Sequence, residues 1–138
     1  VGNQQNAIAP GKRMLSSMTP TFIENEQRVA ILGTPGGSRI ISMVMIGALQ
    51  AMQGAPVEQW VGRARFHHQY LPDSLQYEPD ALSEQTLEAL SAMGHQLKPV
   101  DDSYGNMQAI AWDKVANKVS VASDPRGIGA AVAVKAEQ

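Results

Sequence analysis

The run from Ser38 to Gln53 carries one charge, Arg39, and is otherwise apolar nearly all round. A helix of that composition has no face suited to water, so any fold that accepts it must enclose most of its surface. Its most apolar part, Ile40 to Met52, is interrupted by Ser42, Gly47 and Gln50 and falls well short of the roughly 20 residues a membrane span needs. It reads as a buried helix. Directly upstream, Gly33-Thr34-Pro35-Gly36-Gly37 breaks the pattern after the apolar run Arg28 to Leu32, giving the order strand, glycine turn, buried helix.

The rest of the chain supplies elements to enclose it. Thr19 to Ile23 precedes Arg28 to Leu32 across the polar Glu24-Asn25-Glu26-Gln27, the pattern of two antiparallel strands. Pro56 at a first-turn position begins a short helix to about Arg63. Phe66 to Tyr70 and Leu75 to Tyr77 read as short extended pieces around Pro72-Asp73. Ser83 can cap a helix on which Leu87, Leu90 and Met93 recur, with Gly94 just past its end. Met107 to Trp112 and Lys118 to Ala122 flank a polar loop through Asn117 and form a second hairpin. About four to six strands and three helices, without regular strand-helix-strand alternation, predict an α+β layered fold. No repeat or linker divides the chain, so residues 1–138 are expected to form a single unit.

Charge sorts these elements and removes some functions. From Val29 to Val57 the only charge is Arg39, whereas Asp73 to Asp102 holds seven acidic residues and a single Lys98, so the first region is core and the second mostly surface. Thirteen acidic against eleven basic residues leave a net charge of −2, with no Lys/Arg cluster, which argues against a nucleic acid partner. The absence of cysteine excludes disulfides, a thiol nucleophile and cysteine-ligated zinc, and says nothing about compartment. The polar, uncharged start Val1 to Asn6 lacks the apolar core of a secretion signal.

Three groups of residues invite a chemical reading. Glycines between a strand and a helix leave backbone N–H groups bare at the positive end of the helix dipole, where an anion can sit. The turn at Gly36 and Gly37 is either a tight connection using backbone freedom or an anion site. A nucleotide loop would need a lysine where the sequence has Ser38-Arg39-Ile40, which leaves the oxyanion of a tetrahedral acyl intermediate as the better anion. Ser16 and Ser17 lie between two cations and a strand, with no nucleophile-elbow pattern, and on their own are solvated turn residues. His67-His68 would face opposite sides of an extended segment, with no metal-ligand spacing to His95, and no metal is expected. Asp101-Asp102 and Asp124 read as turn-formers or solvated charges.

Taken in order, Asn6 to Arg13, Leu15-Ser16-Ser17-Met18-Thr19-Pro20-Thr21, Gly33 to Ile41, Arg65-Phe66-His67-His68-Gln69 with Leu71-Pro72-Asp73, and Ala122-Ser123-Asp124-Pro125-Arg126 resemble the γ-glutamyltranspeptidase family. The resemblance covers essentially the whole chain and corresponds to the C-terminal part of the family's small subunit. It implies an N-terminal-nucleophile hydrolase, an αββα four-layer sandwich made by self-cleavage of a precursor, which transfers the γ-glutamyl group of glutathione and related amides to water, amino acids or peptides through an acyl-enzyme. By motif, Ser16 and Ser17 would hold the α-carboxylate of the γ-glutamyl group, and the N–H groups of Gly36 and Gly37 would form the oxyanion hole. No cofactor is implied.

The departures from the family pattern carry expectations of their own. The family's nucleophile is a threonine heading the small subunit, whose α-amino group can act as base, whereas residue 1 here is valine and no Thr-Thr-His run occurs. The chain is therefore expected to be a fragment that is inactive alone, without the N-terminal strands of the small subunit. Its partners would be the large subunit and the N-terminal part of the small subunit, or a second copy in a homodimer. Met14 stands where the family has proline. A related acylase, such as a cephalosporin acylase-like member, and a non-catalytic module for small carboxylates remain open as alternatives. Family analogy implies a periplasmic or secreted location.

Overall fold

The computed structural model describes residues 4–134, so Val1 lies outside the described residues. Seven strands and three α-helices follow in chain order: β1 (Thr21–Glu24), β2 (Arg28–Gly33), α1 (Ile40–Met52), α2 (Val57–Gly62), β3 (Phe66–His67), β4 (Leu75–Tyr77), α3 (Glu84–Ala92), β5 (Leu97–Pro99), β6 (Gln108–Asp113) and β7 (Lys118–Ser123). No helix among them is long and apolar enough to cross a membrane.

Both expected hairpins form, and their turns show why. In the first, Asn25 Oδ1 accepts from the N–H groups of Gln27 and Arg28 at 2.9 and 2.7 Å, a side-chain turn that leads β1 into β2. In the second, Asp113 Oδ1 accepts from Val115 and Ala116 while Asn117 adopts a positive φ of 47°, which asparagine tolerates well. The hairpins join through β2 and β6 into a four-stranded antiparallel sheet, β1-β2-β6-β7. A smaller sheet, β3-β4-β5, pairs β3 with β4 antiparallel and β4 with β5 parallel across α3.

The strand β5 was not expected, and the reason is local: Leu97-Lys98-Pro99 is too short to show alternation, and its proline removes a ladder donor. Two further expectations shift. Pro56 is the residue before α2 rather than inside its first turn. The helix expected from Ser38 begins as a 3-10 turn at Gly37–Arg39 and becomes α-helical at Ile40.

The core lies between one face of the four-stranded sheet and the first two helices. Ala30 and Leu32 of β2, Ala109 of β6 and Ala122 of β7 meet Met43 and Val44 of α1 and Val57, Trp60 and Val61 of α2. Small residues on the strands let the helices approach closely. The opposite face of the sheet is apolar yet open, with Phe22 70%, Ile110 41%, Trp112 40% and Val119 46% exposed. On α1, Ile41, Met45, Leu49 and Met52 are likewise exposed, so the helix expected to be buried on most of its surface presents an uncovered stripe. The helix α3 forms as its cap predicts, Ser83 Oγ accepting from Thr86 N at 3.2 Å, with Gly94 at φ 92° beyond its end. It buries little: Leu87 and Leu90 are half-buried and Met93 is exposed.

Candidate functional site

Antiparallel register gathers the chemically interesting segments. Thr21 pairs with Leu32, Gly33 with Gln108, and Gln108 with Ser123. The segment before β1, the glycine turn after β2, the loop before β6 and the Asp124-Pro125-Arg126 segment after β7 therefore all leave the sheet at the same end. Ser16 and Ser17, Gly36 and Gly37, and Asp124 lie on three of these four segments, although far apart in sequence.

The glycine turn is held in a conformation that side chains resist. Gly36 has φ 148° and Gly37 φ 60°, and a Cβ on Gly36 would stand 2.4 Å from Met43 Cε. Within the described residues, the N–H groups of Gly36 and Gly37 have no backbone acceptor, whereas Arg39 N donates to Gly36 O at 3.2 Å. Both glycines are exposed at the start of α1, where the helix dipole adds positive potential. They line a cavity of about 360 Å³ with Ser38, Arg39, His67, Gln69, Ser74 and Gln76.

Four polar side chains of the cavity wall, His67, Gln69, Arg39 and Gln76, are fixed by partners. His67, buried, places Nε2 2.9 Å from Gln69 Oε1 and Nδ1 2.8 Å from Ser42 Oγ. Gln69 Nε2 donates to Leu71 O at 2.5 Å, which fixes its amide so that Oε1 accepts from the histidine. Nε2 of His67 then donates to Gln69, and the contact of Nδ1 with Ser42 ties β3 to the first turn of α1. His68 turns the other way, to Asp73 Oδ1 at 2.8 Å, as expected for neighbours on an extended segment. Arg39 donates to Gln76 Oε1 and lies over the Tyr104 ring, 4.4 Å from its centroid.

Ser16 and Ser17 do not line this cavity. Ser16 is exposed and its Oγ accepts from Met18 N at 3.2 Å, while Ser17 O accepts from the Thr19 hydroxyl at 3.0 Å.

Asp124 corrects the sequence reading. It does shape a turn, Oδ1 accepting from Arg126 N at 3.0 Å, but it is 1% exposed rather than solvated. Its Oδ2 meets Arg65 Nη2 at 2.5 Å and accepts from Met107 N at 2.9 Å, and Oδ1 meets Arg126 Nη1 at 3.1 Å. Glu78, buried within a stretch read as mostly surface, pairs with Arg126 Nη2 at 2.6 Å and accepts from Arg65 N at 2.9 Å. Burial pushes the Asp124 carboxyl up, but the backbone N–H groups of Met107 and Arg126 and the Arg65 guanidinium outweigh it and hold its pKa below the ordinary value. Burial works against the Arg126 charge too, and Glu78 and Asp124 overcome it, raising its pKa. Burial, with Glu78 next, raises the Tyr104 hydroxyl.

This ion cluster holds the loop before β6. Arg65 Nη1 donates to Tyr104 O, Tyr104 N donates to Glu78 Oε1 at 3.3 Å, and Met107 N is bound by Asp124. The sequence offered a hint to this part of the site, Arg39 as the lone charge in an apolar stretch. His67, Arg65, Asp124 and Arg126 stood within motifs already singled out, but their pairing with Ser42, with one another and with Glu78 could not be read, because those partners come from distant segments.

Comparisons with known proteins show the family. The family model "Gamma-glutamyltranspeptidase" matches residues 1–134, and the chain belongs to the γ-glutamyltranspeptidase family. It is 41% identical over 143 residues to a glutathione hydrolase proenzyme of Pseudomonas aeruginosa, covering 98% of this chain and 25% of that protein. To a glutathione hydrolase proenzyme of Escherichia coli it is 37% identical over 130 residues, covering 93% of this chain and 22% of that protein. The chain thus spans about a quarter of the length of these curated relatives. Among solved structures it superposes on a highly active W525D mutant of γ-glutamyltranspeptidase from Pseudomonas nitroreducens with a TM-score of 0.81 at 41% identity, covering 99% of this chain and 71% of that one.

Proposed function

We propose that these residues form the substrate-holding and oxyanion-stabilising part of an enzyme that transfers the γ-glutamyl group of glutathione and related amides to water or to the amine of an amino acid or peptide. The observation that carries this reading is the pair of N–H groups at Gly36 and Gly37, without backbone acceptors among the described residues and lining a cavity at the start of α1. Adjacent donors of this kind serve the oxygen of a tetrahedral acyl intermediate.

The nucleophile is a threonine hydroxyl from outside these 138 residues, as in the family pattern. It adds to the γ-carbonyl carbon, the C=O electron pair moves to oxygen, and that oxyanion is held by the two glycine N–H groups. Collapse re-forms the carbonyl and expels the amine, which takes up the proton the hydroxyl lost. Water or an acceptor amine then cleaves the acyl-enzyme by the same route. Ser16 and Ser17 hold the α-carboxylate at the other end of the glutamyl group. The register that brings the segment before β1 and the glycine turn to one end of the sheet supports this division of labour.

The complete protein is an αββα four-layer sandwich of the N-terminal-nucleophile type, in which the large subunit and the N-terminal strands of the small subunit join this chain. The apolar outer face at Phe22, Ile110, Trp112 and Val119 is where further strands, or a second copy of the isolated chain, would pack. Incubating the complete, processed protein with a chromogenic γ-glutamyl anilide tests the reading. Saturable release of the aniline is expected, and no release by correctly processed protein overturns it.

A further inference from the structure

The oxyanion reading leaves open what keeps the Gly36 N–H aimed, since a peptide between Pro35 and a glycine at φ 148° can turn with little steric resistance of its own. The structure holds that peptide by its other end. Thr34 Oγ1 lies 2.9 Å from Pro35 O and 3.2 Å from Asn106 N. The Asn106 amide can only donate, so it takes a hydroxyl lone pair, and the single hydroxyl proton is left for the Pro35 carbonyl. Because the peptide unit is planar, fixing Pro35 C=O fixes the direction of the Gly36 N–H on the opposite side of the same unit. A hydrogen bond accepted at the carbonyl also polarises that N–H, and the chain from Asn106 N–H through the hydroxyl to Pro35 O strengthens it further.

The anchor behind this chain is rigid. Gly105 lets the loop lie so close that an added Cβ would stand 2.5 Å from Met43 Sδ and 3.2 Å from Thr34 Oγ1. The loop is fastened by Arg65 at Tyr104 O and by Asp124 at Met107 N, so Asn106 N presents itself to Thr34 from a fixed frame. On the other side of the glycines, Arg39 lies over the ring of the same Tyr104. The glycine turn is therefore gripped before and after by one loop.

We infer that Thr34 is a positioning residue of the oxyanion hole: its hydroxyl orients and polarises the Pro35–Gly36 peptide, relaying the buried ion cluster's rigidity to the Gly36 N–H. The inference rests on the assignment of that N–H to the oxyanion hole. It predicts that a hydroxyl of either kind suffices and that shape alone does not.

The test compares Thr34→Val, nearly the same shape without the hydroxyl, with Thr34→Ser, which keeps it, in the complete processed enzyme. Thr34→Val is expected to lower kcat by about 10- to 100-fold with KM within about twofold, and Thr34→Ser to stay within about threefold of the parent. Infrared difference spectra of the acyl-enzyme from a slowly hydrolysed substrate labelled with ¹³C at the γ-carbonyl provide a second readout. In the parent and in Thr34→Ser the carbonyl stretch should lie below that of a free ester, and in Thr34→Val it should move back toward it. A shifted parent band with unchanged kcat and band position in Thr34→Val overturns the role of Thr34 and leaves the glycine assignment standing. An unshifted parent band overturns both. Equal losses in the valine and serine variants also refute the relay, since they trace the effect to the methyl group or to general packing.

Discussion

Replacing Asp124 by Asn should be among the most damaging single changes in this chain. The Asp124 carboxylate accepts from Met107 N at 2.9 Å, Arg126 N at 3.0 Å, Arg65 Nη2 at 2.5 Å and Arg126 Nη1 at 3.1 Å. Asparagine keeps one acceptor oxygen and, in either orientation of its amide, turns a donor toward one guanidinium and one backbone N–H. Arg65, itself 2% exposed, loses its counterion, and breaking a buried pair from one side costs about 3–5 kcal/mol. Urea unfolding of the protein followed by fluorescence measures the loss. The double variant Arg65→Gln/Asp124→Asn restores charge balance and should lose less than the sum of the singles, a coupling of about 0.5–3 kcal/mol. The acid limb follows the same logic: the folded pKa of Asp124 is depressed, so its contribution is complete above the ordinary carboxylate range and is lost as pH falls through the lower folded value. Asp124→Asn should flatten that limb. A loss below about 1 kcal/mol, or strictly additive variants, would show that the cluster is not the anchor described here.

Two further outcomes are expected. In the complete enzyme, Ser16→Ala/Ser17→Ala should raise KM for γ-glutamyl substrates far more than it lowers kcat, because a carboxylate is present in ground and transition states alike and each hydrogen bond to it is worth about 1.5–3 kcal/mol. Steady-state kinetics with an unchanged kcat/KM would remove that assignment. The isolated 138-residue chain should release no aniline from a γ-glutamyl anilide and should self-associate in light scattering through its open apolar sheet face, and turnover free of full-length contaminant would refute the first half, a stable monomer the second.

The local elements were legible because their causes are local. The strand, glycine turn and helix from Arg28 to Met52, the Ser83 cap with Gly94 beyond α3, and the hairpin through Asn117 each depend on residues a few positions apart. The motifs at Ser16-Ser17 and Gly36-Gly37 were legible for a different reason: the chemistry they resemble uses contiguous residues. Tertiary structure decided what depends on pairing across the chain. Asp124 looked like a solvated turn residue until Arg65, 59 positions away, met it in the interior. Thr34 looked like an ordinary turn residue until the N–H of Asn106, 72 positions on, reached its hydroxyl. The apolar run of α1 required enclosure, yet it could not say that one stripe, Ile41 to Met52, would stay uncovered in this chain. Burial and ion pairing are set by the register of β2 on β6, and no periodicity within either strand encodes which strand lies beside it.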